Sequence, residues 1–94
     1  MQDNLKKSNQ NKAILLSCVG KIVQKERYKK GKGINLFSYD YDIGNGLLSK
    51  LEKGMSDTKI TTFWKLANAF GYKCSDFVKL IEDELPENFD FYNE

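Results

Sequence analysis

Glycine decides what this chain can fold into. After a long opening stretch, Gly31 and Gly33, then Gly44 and Gly46, then Gly54, Gly71 and Pro86 cut the sequence into segments of about seven to sixteen residues. Such pieces are too short to hold a helix by propensity alone, so each must bury an apolar stripe against the others. Within KAILLSCVGKIVQKERYKK, Leu15, Val19, Ile22 and Val23 recur at helical spacing, while Lys21, Lys25 and Lys29 mark another face. In ITTFWKLANAFG, Ile60, Phe63, Leu66, Ala67 and Phe70 form a second stripe that Gly71 closes. Ser75 reads as the cap of a helix carrying Phe77, Leu80, Ile81 and Leu85, ended by Pro86.

The segment INLFSYDY is open to two readings, because Phe37, Tyr39 and Tyr41 alternate as in a strand. GNGLLSKLEKG, residues 44 to 54, is a helix from Leu47 with two glycines in its first turn, where helices normally place better formers. Short helices joined by short loops imply one compact all-α domain over residues 1–94. Residues 1–11 read as an N-terminal extension and residues 86–94 as an acidic, aromatic C-terminal arm.

Composition removes whole classes of chemistry. There is no histidine, and Cys18 and Cys74 lie far apart, so neither a zinc cluster nor a cysteine–histidine nucleophile can be assembled. With no phosphate loop and no acid–base pair, no enzyme, metal or cofactor is expected. No secretory leader or membrane span is legible, which makes a reducing cytoplasm the simplest expected address. Residues 1–75 carry 14 Lys and Arg against 6 Asp and Glu, a balance of +8, whereas residues 76–94 carry 1 against 7, a balance of −6. A basic body with an acidic tail suits a polyanionic partner that the tail avoids, or simply a charged, solvated coat.

From Gly20 to Leu80 the chain resembles, without gaps, the helix-turn-helix domains of the Cro/C1 phage-repressor type, the Xre family. The anchors are Gly20, Val23 and Arg27, then LSKLEKG at Leu48 to Gly54, then Ile60, Thr62, Phe63, Leu66, Ala67, Ala69, Phe70 and Gly71. The resemblance implies a compact five-helix, lambda-repressor-like domain in which INLFSYDY is helix 2 and residues from Gly44 begin helix 3. It also implies an ion pair between Arg27 and Glu52. The function implied is sequence-specific binding of double-stranded DNA by a small transcriptional regulator, with helix 3 in the major groove. Asn45, Gly46 and Lys50 would then face bases, and Lys32, Gly33, Gly44, Ser56 and Lys59 would face the phosphate backbone.

The family's habit further implies a homodimer. The first turns of helix 1 and the aromatics Phe89, Phe91 and Tyr92 are the surfaces the sequence offers for it. Three departures stand out: Ile34 where the family often has a phosphate-gripping glutamine, Asp42 at the turn glycine, and Asp40 and Asp57 as repulsive charges. They keep a second reading alive, in which the same fold serves as a protein-interaction module, an antitoxin or accessory factor, with little DNA binding.

Overall fold

A computed structural model of the protein describes residues 2–92 as five helices: α1 (Gln2–Lys29), α2 (Ile34–Tyr41), α3 (Asn45–Glu52), α4 (Ile60–Ala69) and α5 (Cys74–Glu84). No strand occurs among the described residues, so the ambiguous segment 34–41 is helical. As a helix it directs Phe37 into the core at 0% exposure, leaves Tyr41 half-buried against the Phe37 ring, and turns Tyr39 out to solvent at 86%. A strand would have sent Phe37, Tyr39 and Tyr41 to one face and buried them together.

Four helix ends share one device. Gly31, Asp42, Gly54 and Gly71 all adopt positive φ, at 68°, 53°, 73° and 87°. At three of them the next amide reaches back across the turn: Ile43 N–H to the Ser38 carbonyl at 3.1 Å, Met55 N–H to Lys50 at 2.9 Å, and Tyr72 N–H to Ala67 at 2.9 Å. This is the left-handed closure that satisfies the orphan carbonyls of a helix end. Asp42 does there what glycine does at the other positions, as one of the few residues with a side chain that tolerates the conformation.

The core is one contiguous cluster. Val19, Ile22 and Val23 of α1 meet Phe37, Ile43, Leu48, Leu51, Leu66, Ala67, Phe70, Phe77 and Ile81 from the shorter segments. A ladder of rings runs through it, with centroids 5.3 Å apart for Phe37 and Phe70, 5.7 Å for Phe70 and Phe77, and 5.2 Å for Phe63 and Phe77. The free thiols belong to this packing. Cys18 is half-buried with its Sγ 3.6 Å from the Ile81 carbonyl, and burial pushes its pKa up.

Residues 2–11 of the N-terminal extension form the opening turns of α1, residue 1 lying outside the description. A helix of 28 residues spans about 42 Å, which sets the long axis of the molecule at 44 Å and raises the radius of gyration to 14.0 Å. Ser75 is not a cap. Phe77 N–H already bonds the Lys73 carbonyl at 3.0 Å, so α5 starts at Cys74 with Lys73 as N-cap, and Ser75 sits exposed within the first turn. Ile60 is not in the core: it opens α4 at 67% exposure, because Leu66, Ala67 and Phe70 already fill the buried stripe.

The C-terminal arm folds back on its own domain. The Asn11 side-chain amide donates to the carbonyls of Asp90 and Phe91, both at 3.0 Å, and the Phe89 and Phe91 rings meet edge to face at 5.7 Å. Both phenylalanines are half-buried and Tyr92 is exposed; residues 93 and 94 of the arm lie outside the described residues.

Candidate nucleic-acid interface

The candidate site is built on α3, and the stiffness of α3 comes from α1. Gly20 is why the two helices can touch: a Cβ there would lie 2.5 Å from the Leu51 carbonyl oxygen and 2.7 Å from that of Glu52. One turn earlier, Ser17 packs against Gly54, whose Cβ would stand 3.1 Å from the Ser17 Cα. Between these contacts and the core, Arg27 grips the last residue of α3. Its Nε donates to Glu52 Oε2 at 2.6 Å and its Nη2 to Oε1 at 2.8 Å, a bidentate fork with both side chains almost fully buried. The Glu52 hydrogen bonds raise the Arg27 pKa. A third donor, Nη1, holds the Lys32 carbonyl at 2.9 Å, so one guanidinium fixes both the end of α3 and the entry to α2.

At its other end α3 is bare. Ile43 is buried and anchors the turn from α2, and Leu48 and Leu51 anchor the helix, while Gly44, Asn45, Gly46 and Leu47 are all exposed. Gly44 is the N-cap, with no side chain to satisfy the first amides, and a Cβ on Gly46 would meet nothing within 4 Å. Unpaired N–H groups and the positive end of the helix dipole are thereby left open to an anion. Gly33 repeats the arrangement at the start of α2, again as an N-cap without side-chain bonding and with open space around it.

The two bare ends are tied together by amides. The Asn45 side-chain N–H donates to Asn35 Oδ1, linking the first turn of α3 to that of α2. The pairing leaves the Asn45 carbonyl oxygen and the Asn35 amide hydrogens unused. Asn35 carried no mark in the sequence, where Ile34 occupies the position that the resemblance reserves for a polar residue. Its role depends on the distance between two helix starts ten residues apart, which no periodicity encodes.

The two aspartates read as repulsive charges, and Asp42 at the turn, each have a lysine within 4 Å. Asp40 Oδ2 lies 2.5 Å from Lys32 Nζ, Asp42 Oδ2 lies 3.5 Å from Lys65 Nζ, and Asp57 Oδ2 lies 3.7 Å from Lys12 Nζ. Lys32 is therefore committed: its ammonium hydrogen-bonds Asp40, which raises its pKa, and it also lies 5.0 Å from the centre of the Tyr41 ring. This differs from the expectation of a lysine held ready for phosphate. Lys50 and Lys59 are exposed, Lys59 as the N-cap of α4, and Ser56 is half-buried in the loop before it. Asn45, Gly46, Gly44 and Gly33 thus cluster at the paired helix starts, with Lys50 one turn further along α3.

Among the described residues no helix is long and apolar enough to cross a membrane, and no group of three acidic, cysteine or histidine side chains could hold a metal. Comparison with family models, curated proteins and solved structures finds no match to the chain.

Proposed function

We propose that the protein binds double-stranded DNA in a sequence-dependent way and acts as a small transcriptional regulator of the Cro/C1 helix-turn-helix kind. The observation that carries the reading is the contrast within α3: a rigidly held C-terminal end and an exposed N-terminal end with glycine at its cap and again in its first turn. A helix presented in this way fits the major groove, with the preceding helix across the backbone. Asn45 is the base reader, its amide suited to the N6 and N7 of adenine, and Asn35 holds it in place. Lys50, one turn along, reaches guanine O6 or N7.

Phosphates are met by the bare amides after Gly33 and Gly44, by Ser56 and by Lys59. Gly46 lets the backbone come close to the duplex, as no Cβ intervenes. Lys32 pairs closely with Asp40, and Asp42 and Asp57 each have a lysine within 4 Å, which lessens the repulsion on this face. Two copies on a two-fold site, with half-sites about one helical turn apart, complete the reading.

The test is selection of bound duplexes from a random pool with the natural chain and with Asn45→Ala. Loss of preference at one base position, the rest of the motif being kept, is the expected result. Affinity should fall with salt on a slope set by roughly 3 to 5 phosphate contacts per subunit. A flat salt response, together with a stoichiometric protein partner in the purified material, would move the fold to the interaction-module class.

A further inference from the structure

The pairing of Lys32 with Asp40 differs in kind from those of Asp42 and Asp57. Its 2.5 Å hydrogen bond joins side chains only 27% and 30% exposed, whereas Asp42 and Asp57 stand 3.5 Å and 3.7 Å from their lysines with carboxylates 100% and 71% exposed. The Tyr41 ring lies under the same ammonium, 5.0 Å from its centre. Asp40 and Tyr41 close α2, so the charge rests beside the last turn of that helix, the end where a cation is favoured. The main chain of Lys32 is pinned as well, its carbonyl held at 2.9 Å by the buried Arg27. Yet the next residue is Gly33, the bare cap at which α2 begins. Lys32 is thus rooted beside the amides offered to phosphate, while its ammonium is drawn off to the opposite end of the helix.

We propose that Asp40 is a built-in stand-in for a DNA phosphate: it occupies Lys32 and withholds one backbone contact, so that the chain binds duplex less tightly, and with a shallower salt dependence, than its lysines allow. The proposal rests on the DNA-binding reading for its setting and makes Asp40 a positioning residue that acts only through Lys32.

The balance of contacts explains why a duplex does not capture this lysine. A phosphate that took Lys32 would form one ion pair and break another, give up the Tyr41 ring, and leave the Asp40 carboxylate unpaired beside a polyanion. Little is gained by that exchange. In Asp40→Asn the side chain keeps its size and loses its charge, and Lys32 can swing to a phosphate without stranding a carboxylate.

The test is a double-mutant cycle read in salt. Asp40→Asn should bind duplex with a salt slope steeper by about 0.9, a gain of roughly eightfold between 1 M and 0.1 M salt for one added contact. Base preference should stay as it is, because phosphate contacts carry no sequence information. In the Lys32→Ala background the same change at Asp40 should leave the slope where it was. The pair is partly exposed, so all variants should fold, as circular dichroism will check. A slope that steepens equally in both backgrounds makes Asp40 a plain repulsive charge, and a slope shallower by about 0.9 in Lys32→Ala alone puts Lys32 on a phosphate already. Either result overturns the proposal.

Retention on heparin, a polyanion without bases, forms a second arm that needs no duplex. Asp40→Asn should elute at higher salt than the natural chain, and the step should shrink in the Lys32→Ala background. An equal step in both backgrounds, or none in either, overturns the proposal here too. Heparin steps of the expected kind in a chain that binds no duplex sink the DNA reading and keep the restraint on Lys32. Duplex binding without coupling between the two residues sinks the restraint and keeps the DNA reading.

Discussion

The two ends of α3 are opposites, though the helix is only eight residues long. The C-terminal end is held by backbone contact at Gly20, by the Arg27 fork and by the left-handed turn at Gly54. The N-terminal end has a glycine cap, a second glycine in its first turn and one cross-helix amide contact. Rigidity is concentrated at the C-terminal end, whereas the N-terminal end keeps glycine at its cap and again in its first turn. A helix clamped at both ends would have no room for a groove, and one bare at both ends would not hold its direction. The poor helix formers at 44 and 46 are therefore tolerable because stability arrives from the other end.

The comparison can be broken most violently at the clamp. Arg27→Ala strands the buried Glu52 carboxylate and should cost about 3 to 5 kcal/mol, measured as a shift in the denaturation midpoint. A loss within about 0.5 kcal/mol, the scale of an ordinary surface change, would mean the fork does not brace α3. Gly20→Ala comes next. Its methyl would run into carbonyl oxygens that cannot swing aside, and a loss of about 3 kcal/mol is expected, at the upper end of overpacking effects. The same substitution at Gly33, where a Cβ meets nothing within 4 Å, serves as the contrast and should cost no more than about 1 kcal/mol, the scale of a poorer N-cap.

A site away from α3 gauges how much bracing comes from the rest of α1. Glu26 is buried; burial pushes its carboxyl up, but hydrogen bonds from Lys29 at 3.0 Å and Tyr72 at 2.8 Å outweigh this and hold its pKa below the usual value of 4.5. Its contribution is present above the unfolded value and is lost as pH falls through the folded one. Tyr72 runs the other way: its hydrogen bond to Glu26 raises its pKa above 10.0, so its contribution is whole below pH 10 and is lost as pH rises through the folded value. Tyr72→Phe should cost about 1.5 kcal/mol at neutral pH, the value of a hydrogen bond to a charged group, and should flatten both limbs of a stability–pH curve.

The smallest effect is also the most telling. Gly46→Ala has open space for its methyl and should raise stability by roughly 0.5 kcal/mol through helix propensity, while weakening duplex binding. A substitution that stabilises the fold and strengthens binding together would contradict the role given to the bare end.

Much of this was legible in particular residues. The spacing of Val19, Ile22 and Val23, and of Phe63, Leu66, Ala67 and Phe70, announced buried stripes because helical period and burial are linked through every turn. The breaks at Gly31, Gly54 and Gly71 announced helix ends because a positive φ is cheap only without a Cβ. The same logic failed where several residues could serve. Ile60 fitted the α4 stripe by spacing yet lies outside it, since period alone does not say how wide the buried face is. Ser75 looked like a cap, but the register of α5 is set by burying Phe77 and Ile81. Asp40 and Asp57 read as repulsion because their lysine partners lie 8 and 45 positions away.

By itself, then, the order of residues determined four helical segments, their approximate limits and the stripes that form one core, and left segment 34–41 open between helix and strand. These follow from local backbone preference and from a hydrophobic period that any short window contains. Tertiary structure alone decided that Asn35 reaches Asn45, that Glu26 meets Tyr72, that each suspect aspartate finds a lysine, and that Ile60 and Trp64 are left uncovered. Each of those outcomes depends on distances between helices, and such distances arise only when side chains remote in sequence pack into the same few ångströms.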